Sequence, residues 1–135
     1  MDALDFVNQA RRLQLRVPGA VLRVRKPTEQ KSFDAYLALP ARWGDEKRIV
    51  LLVLASGKLI AAVAPPTPHP LCVSRGRDEE AEARAVDEAL YELGSRYTSW
   101  CRVLLPPGLR VRENLEDIVS AITSLGIVDD LGWLQ

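Results

Sequence analysis

Histidine, methionine and cysteine are nearly missing from this chain: one His, one Met and two Cys in 135 residues. With His69 the only imidazole, and prolines on both sides of it, a Ser-His-Asp or Cys-His constellation has no orienting partner in view. Cys72, Cys101 and His69 together lack the spacing of a zinc site, and a reducing compartment keeps the two cysteines as thiols. Glycine-rich phosphate cradles are absent, so neither a P-loop nor a dinucleotide fingerprint is present. The longest apolar stretch, Ile49 to Ala55, is far too short to span a bilayer, and the opening residues carry no basic region followed by an apolar run. The chain is therefore expected to be cytoplasmic, to need no cofactor or metal, and not to be an enzyme. A metal-dependent nuclease could use Asp34, Asp45 and Glu46, but no pair of carboxylates followed by a lysine two positions on lies on an evident strand.

What the chain has is charge sorted by position. Residues 1–77 carry 13 Lys and Arg against 6 Asp and Glu, a net of +7, and residues 78–135 carry 5 against 12, a net of −7. A basic surface from one half and an acidic one from the other follow from that sorting, and a basic surface attracts polyanions. Fourteen of the 18 basic residues are Arg, and there are nine prolines. That composition leans towards a thermophile, although a GC-rich genome gives the same arginine bias.

Hydrophobic spacing supplies the elements. Ala3, Phe6, Val7, Ala10 and Leu13 recur at three- and four-residue intervals behind a potential N-cap, Asp2, which predicts a helix over about 3–15. Pro18-Gly19 ends it. A strand over 20–26 sends Leu22 and Val24 one way and Arg23 and Arg25 the other. A second strand over 33–39, closed by Pro40, groups Phe33, Ala35, Leu37 and Leu39 opposite Asp34 and Tyr36. Two apolar runs, 48–55 and 58–64, joined through Ser56-Gly57, form a β-hairpin, and the first run is apolar on both faces, as a covered central strand is. The proline-rich run 65–70 takes the chain out of the sheet.

Beyond it, 78–97 predicts the longest helix, with Val86, Leu90, Leu93 and Tyr97 on one face and glutamates in its first turns. A short strand is possible over 100–105. Asn114 with Asp117 opens a last helix whose stripe is Ile118, Val119, Ile122 and Leu125. The expected architecture is α+β: an N-terminal helix, a four-stranded antiparallel β-meander, then two C-terminal helices packed on the sheet. Residues 1–135 form one domain, with a basic helix-plus-sheet part over 1–64, a connection over 65–77 and an acidic helical part over 78–135. The last helix and the apolar tail are expected to join copies into a homodimer or higher oligomer.

The candidate site is cationic and aromatic: Arg11, Arg12 and Arg16 on the first helix; Arg23, Arg25 and Lys26 on the first strand; Lys31 in the next turn; Tyr36 and Trp43 as stacking platforms; Lys47, Arg48 and Lys58 around the hairpin. Guanidinium groups bind phosphates bidentately, and cations interleaved with aromatics are what sequence-tolerant single-strand binding requires. Arg23 and Arg25 could equally be the solvated face of an edge strand. On the binding reading, reversing both to Glu is expected to abolish binding while leaving thermal unfolding nearly unchanged, since exposed strand charges contribute little to stability. Phe33 reads as core.

This order of elements over Leu4 to Leu105, with outward arginines, later helices and an arginine-rich composition, resembles the ThermoDBP group of archaeal single-stranded DNA-binding proteins. The resemblance implies a sheet-and-helix domain with a basic cleft floored by apolar and aromatic residues, assembled as an oligomer. It supplies no motif from which a site residue can be carried over. The expected function is sequence-independent binding of single-stranded nucleic acid, DNA ahead of RNA. The alternative is a dimeric, secretion-chaperone-like adaptor that holds a polypeptide.

Overall fold

The computed structural model describes residues 1–43, 46–63, 72–73, 80–94, 100–103 and 114–124; for 42–43, 46–48, 72–73, 101 and 124 it describes the backbone alone. Its first helix, α1 (Ala3–Arg16), begins where the Asp2 carboxylate accepts a hydrogen bond from the Asp5 N–H at 2.8 Å. Asp5 in the first turn and Arg16 in the last complement the helix dipole, while Phe6, Ala10 and Leu13 turn into the core.

Among the described residues six strands form one sheet: β1 (Val21–Val24), β2 (Ala35–Trp43), β3 (Glu46–Ala55), β4 (Lys58–Val63), β5 (Cys72–Val73) and β6 (Cys101–Val103). The order across it is β1-β2-β3-β4-β6-β5, with every neighbouring pair antiparallel. The expected four-strand meander is the first part of this sheet. Two short strands extend it, because Cys101 and Arg102 pair with Val63 and Ala62, and the segment around Cys72 then pairs with β6. The chain therefore returns to the sheet within 65–77, while the proline run itself lies outside the described residues.

The hairpin turn forms as its sequence demands. Ser56 and Gly57 both have positive φ, 51° and 78°, the two left-handed positions of a type I′ connection. Pro40 does not close β2, which runs on to Trp43 with Pro40 opposite Ile49. β1 reaches only as far as Ala38 in register, so β3 alone flanks Pro40, and proline is tolerated in such an edge setting.

Helices cover both faces. On one, α1 and the last helix, α3 (Leu115–Ser124), join Ala35, Leu37, Leu39, Val50, Leu52 and Leu54 in a single cluster. On the other, α2 (Glu80–Glu92) packs on Tyr36, Ala38, Leu51, Val53 and Ile60. β3 is thus buried from both sides, as its uninterrupted apolar run requires. Small residues Ala85 and Ala89 bring α2 close to the sheet. At 13 residues α2 is not the longest helix, since Gly94, with φ 64°, turns the chain after Glu92; α1 has 14. Asn114 caps α3, accepting from the Glu116 and Asp117 N–H groups at 3.0 and 3.3 Å. The Ile118, Val119 and Ile122 stripe is consumed inside the protomer and is not left for another copy, while Leu125 and the tail lie outside the described residues.

Phe33 corrects the expected alternation. It precedes β2 and turns to the α2 face, where its ring meets that of Tyr36 edge-on at 5.1 Å and 76°.

Candidate functional site

The twelve cationic and aromatic residues divide into four groups. Arg11, Arg12 and Arg16 ride on α1 over one face of the sheet; Arg16 pairs with Glu116 of α3 at 2.6 Å, and Arg11 and Arg12 are exposed with no ion pair among the described residues. Trp43, Lys47 and Arg48 sit at the β2–β3 end of the hairpin, and their side chains lie outside the described set. Trp43↔Glu46 is eight register positions from Ala35↔Leu54, or roughly 26 Å along the strands.

Arg23 and Tyr36 are structural. Arg23 leaves β1 towards α2, where its guanidinium binds Glu29 at 2.6 and 2.9 Å and Glu92 at 3.1 and 3.2 Å, with Phe33 5.8 Å beneath it. Lys31 adds a second cation 3.5 Å from Glu92. Tyr36 is 3% exposed and donates its hydroxyl to Glu92 at 3.1 Å, so it cannot serve as an open stacking platform. Burial raises the Tyr36 phenol to about 12, with the hydrogen bond to Glu92 adding to the shift. The Arg23 guanidinium, followed by the Lys26 backbone N–H, lowers the Glu29 carboxyl to about 2. Burial alone would raise Glu92, but hydrogen bonds from Arg23 and Tyr36 outweigh it and hold the carboxyl below its ordinary range. Hydrogen bonds from Glu29 and then Glu92 shift Arg23 upward.

The fourth group shares one place. Arg25, Lys31 and Lys58 line a cleft of about 700 Å³ between the β1–β2 connection, the β3–β4 turn and the start of α2, and Lys26 follows Arg25 with its side chain exposed. Arg84, an exposed residue of the acidic helix, completes the cationic lining. The connection is held in shape by Ser32, whose N–H and hydroxyl donate to Glu88 at 2.6 and 3.2 Å, and by Asp34, which accepts from the Ser56 N–H at 3.0 Å. Four cations face three carboxylates there, Glu29, Asp34 and Glu82, so the cleft is mixed in charge and not the uniformly basic groove that the sequence suggested.

The ion pairs around the cleft differ in closeness. Arg25–Asp34 is 3.4 Å, Lys31–Glu92 3.5 Å and Lys58–Glu82 3.9 Å, with the Lys58 side chain 73% exposed. Open pairs at such distances contribute roughly 0–1 kcal/mol each. Glu82 is held instead by Arg102, its closer partner. Arg25 Nε is buried with no hydrogen-bond partner.

Sequence reading missed two residues here. Arg84 belongs to a segment that reads as acidic, and Tyr91, 86% exposed, lies seven positions further along α2, so both project from one helix face about 10.5 Å apart. A seven-residue spacing on the face opposite Val86 and Leu90 was the available signal. Among the described residues no cluster of three His, Cys, Asp or Glu could hold a metal, and no helix is long and apolar enough to cross a membrane. The chain matches no protein-family model, no curated protein and no solved structure.

Proposed function

We propose that this chain is a cytoplasmic binding protein for single-stranded nucleic acid, DNA ahead of RNA, and that the strand lies in the cleft and over the exposed face of α2. One observation carries the reading: Arg25 and Lys31 from the β1–β2 connection, Lys58 from the β3–β4 turn and Arg84 from α2 line one open cleft, and those with partners there are only loosely paired. A phosphate can replace a distant carboxylate at small cost, and its gain is entropic through counterion release. Tyr91 supplies an exposed ring for a base, since every base has a face to stack. The same role is implied by the resemblance to the ThermoDBP group. Because carboxylates share the cleft, only three or four phosphates are engaged, which gives log K a slope of about −2 to −3 against log salt. Fluorescence anisotropy with a labelled oligothymidylate over a salt series tests this.

A second reading, a polypeptide-binding adaptor, is favoured by β1. It is the sheet's outer strand, Val21 and Val24 are 44% and 43% exposed, and Arg23, which could have guarded the edge, is drawn inward to Glu29 and Glu92. An extended peptide would add to that edge through main-chain hydrogen bonds. Peptide binding that ignores salt would mark this reading.

A further inference from the structure

The outward face of α1 has no role in the cleft, and its pattern is symmetrical. Leu4, Asn8, Arg11 and Leu15 follow one another at helical spacing and form a stripe directed away from the buried Phe6, Ala10 and Leu13. Leu4 is 71% and Leu15 90% exposed. Asn8 and Arg11 between them are exposed, and their side chains have no hydrogen bond or ion pair within the described residues. Read from either end, the stripe is the same: an apolar residue, two polar residues, an apolar residue.

We propose that this face docks on the same face of a second copy of the chain, with the two α1 helices antiparallel about a two-fold axis between Asn8 and Arg11. Each Leu4 then packs on the other copy's Leu15, and each Asn8 carbonyl oxygen accepts from the other copy's Arg11. A two-fold interface requires self-complementarity of this kind. Charge supports the same occupant. Asp5 and Arg12 lie on one flank of the stripe, and the two-fold brings each Asp5 within about 3 Å, along the axis, of the other copy's Arg12. A parallel arrangement would instead set each Arg11 level with the other copy's and carry the two copies' Asp5 and Arg12 flanks to opposite sides of the pair. The four leucines and the polar pairs between them make a small interface, so the dimer is weak, forming at micromolar concentration or above. Neither the cleft nor the α2 face takes part, so this association is independent of nucleic-acid binding.

Sedimentation velocity on the purified full chain, from 1 to several hundred micromolar, tests the proposal, with circular dichroism to confirm that each variant stays folded. The wild type is expected to pass from monomer to dimer with rising concentration. Leu15→Lys is expected to raise the dimer dissociation constant about tenfold or more. The double variant Leu4→Glu/Leu15→Lys should recover association, because antiparallel pairing sets each introduced glutamate beside an introduced lysine. A wild type that stays monomeric throughout, a dimer unaffected by Leu15→Lys, or a double variant weaker than Leu15→Lys alone would each overturn the proposal.

Discussion

Arg23 on β1 and Glu92 at the end of α2, 69 residues apart in sequence, meet through two hydrogen bonds of 3.1 and 3.2 Å. That contact fastens the acidic half of the chain onto the basic half. It also accounts for the charge sorting: opposite charges placed far apart along the chain meet within one fold, where Arg16–Glu116, Lys31–Glu92 and Lys58–Glu82 repeat the arrangement.

The first prediction concerns stability. Arg23 is half-buried and bridges two carboxylates, so Arg23→Ala is expected to lower unfolding free energy by about 1–2 kcal/mol in urea titration. Arg25→Ala, at a 3.4 Å pair, should cost less. Equal and negligible effects would return Arg23 to the solvated edge role that its strand position suggested.

Acid and base should each loosen the fold through the same cluster. Glu29 and Glu92 titrate below their ordinary range in the folded chain, so their stabilisation is complete above about pH 4.5 and is lost as pH falls towards 2, the folded value of Glu29. Tyr36 titrates above its ordinary value, so its contribution is intact below about pH 10 and is lost as pH rises towards 12. Urea midpoints across pH should show a plateau between these limits, and Tyr36→Phe should flatten the alkaline limb.

Leu52 tests the two-sided sheet. It is fully buried on the central strand against the α1 and α3 face, so Leu52→Ala is expected to cost about 3 kcal/mol. Leu51→Ala, facing α2, should cost a similar amount. A loss confined to one of them would mean that only one face of β3 is firmly covered.

Much of the fold was legible because it rests on short-range rules. Asp2 and Asn114 cap as their side chains dictate, Ser56-Gly57 adopts the turn its residues allow, and the doubly apolar run 49–55 becomes a strand covered on both faces. Phe33 was placed on the wrong face because strand alternation holds only inside a strand, and β2 starts two residues later. The strands at Cys72 and Cys101 depend on pairing across distant segments, which two or three residues cannot announce. The site was harder to read. Sequence counts charges but does not show which carboxylate folds onto which cation, so Arg23 looked available and Arg84, set among glutamates, did not.

The most direct measurement of the proposed function compares three proteins on one labelled oligothymidylate: wild type, Lys58→Glu/Arg84→Glu and Arg11→Glu/Arg12→Glu. Anisotropy at low and moderate salt should show the cleft variant losing at least about tenfold in affinity and most of its salt dependence. Because α1 lies on the other face of the sheet, the α1 variant should bind as the wild type does. Unchanged binding by the cleft variant, or loss in the α1 variant alone, would contradict the assignment of the nucleic acid to the cleft.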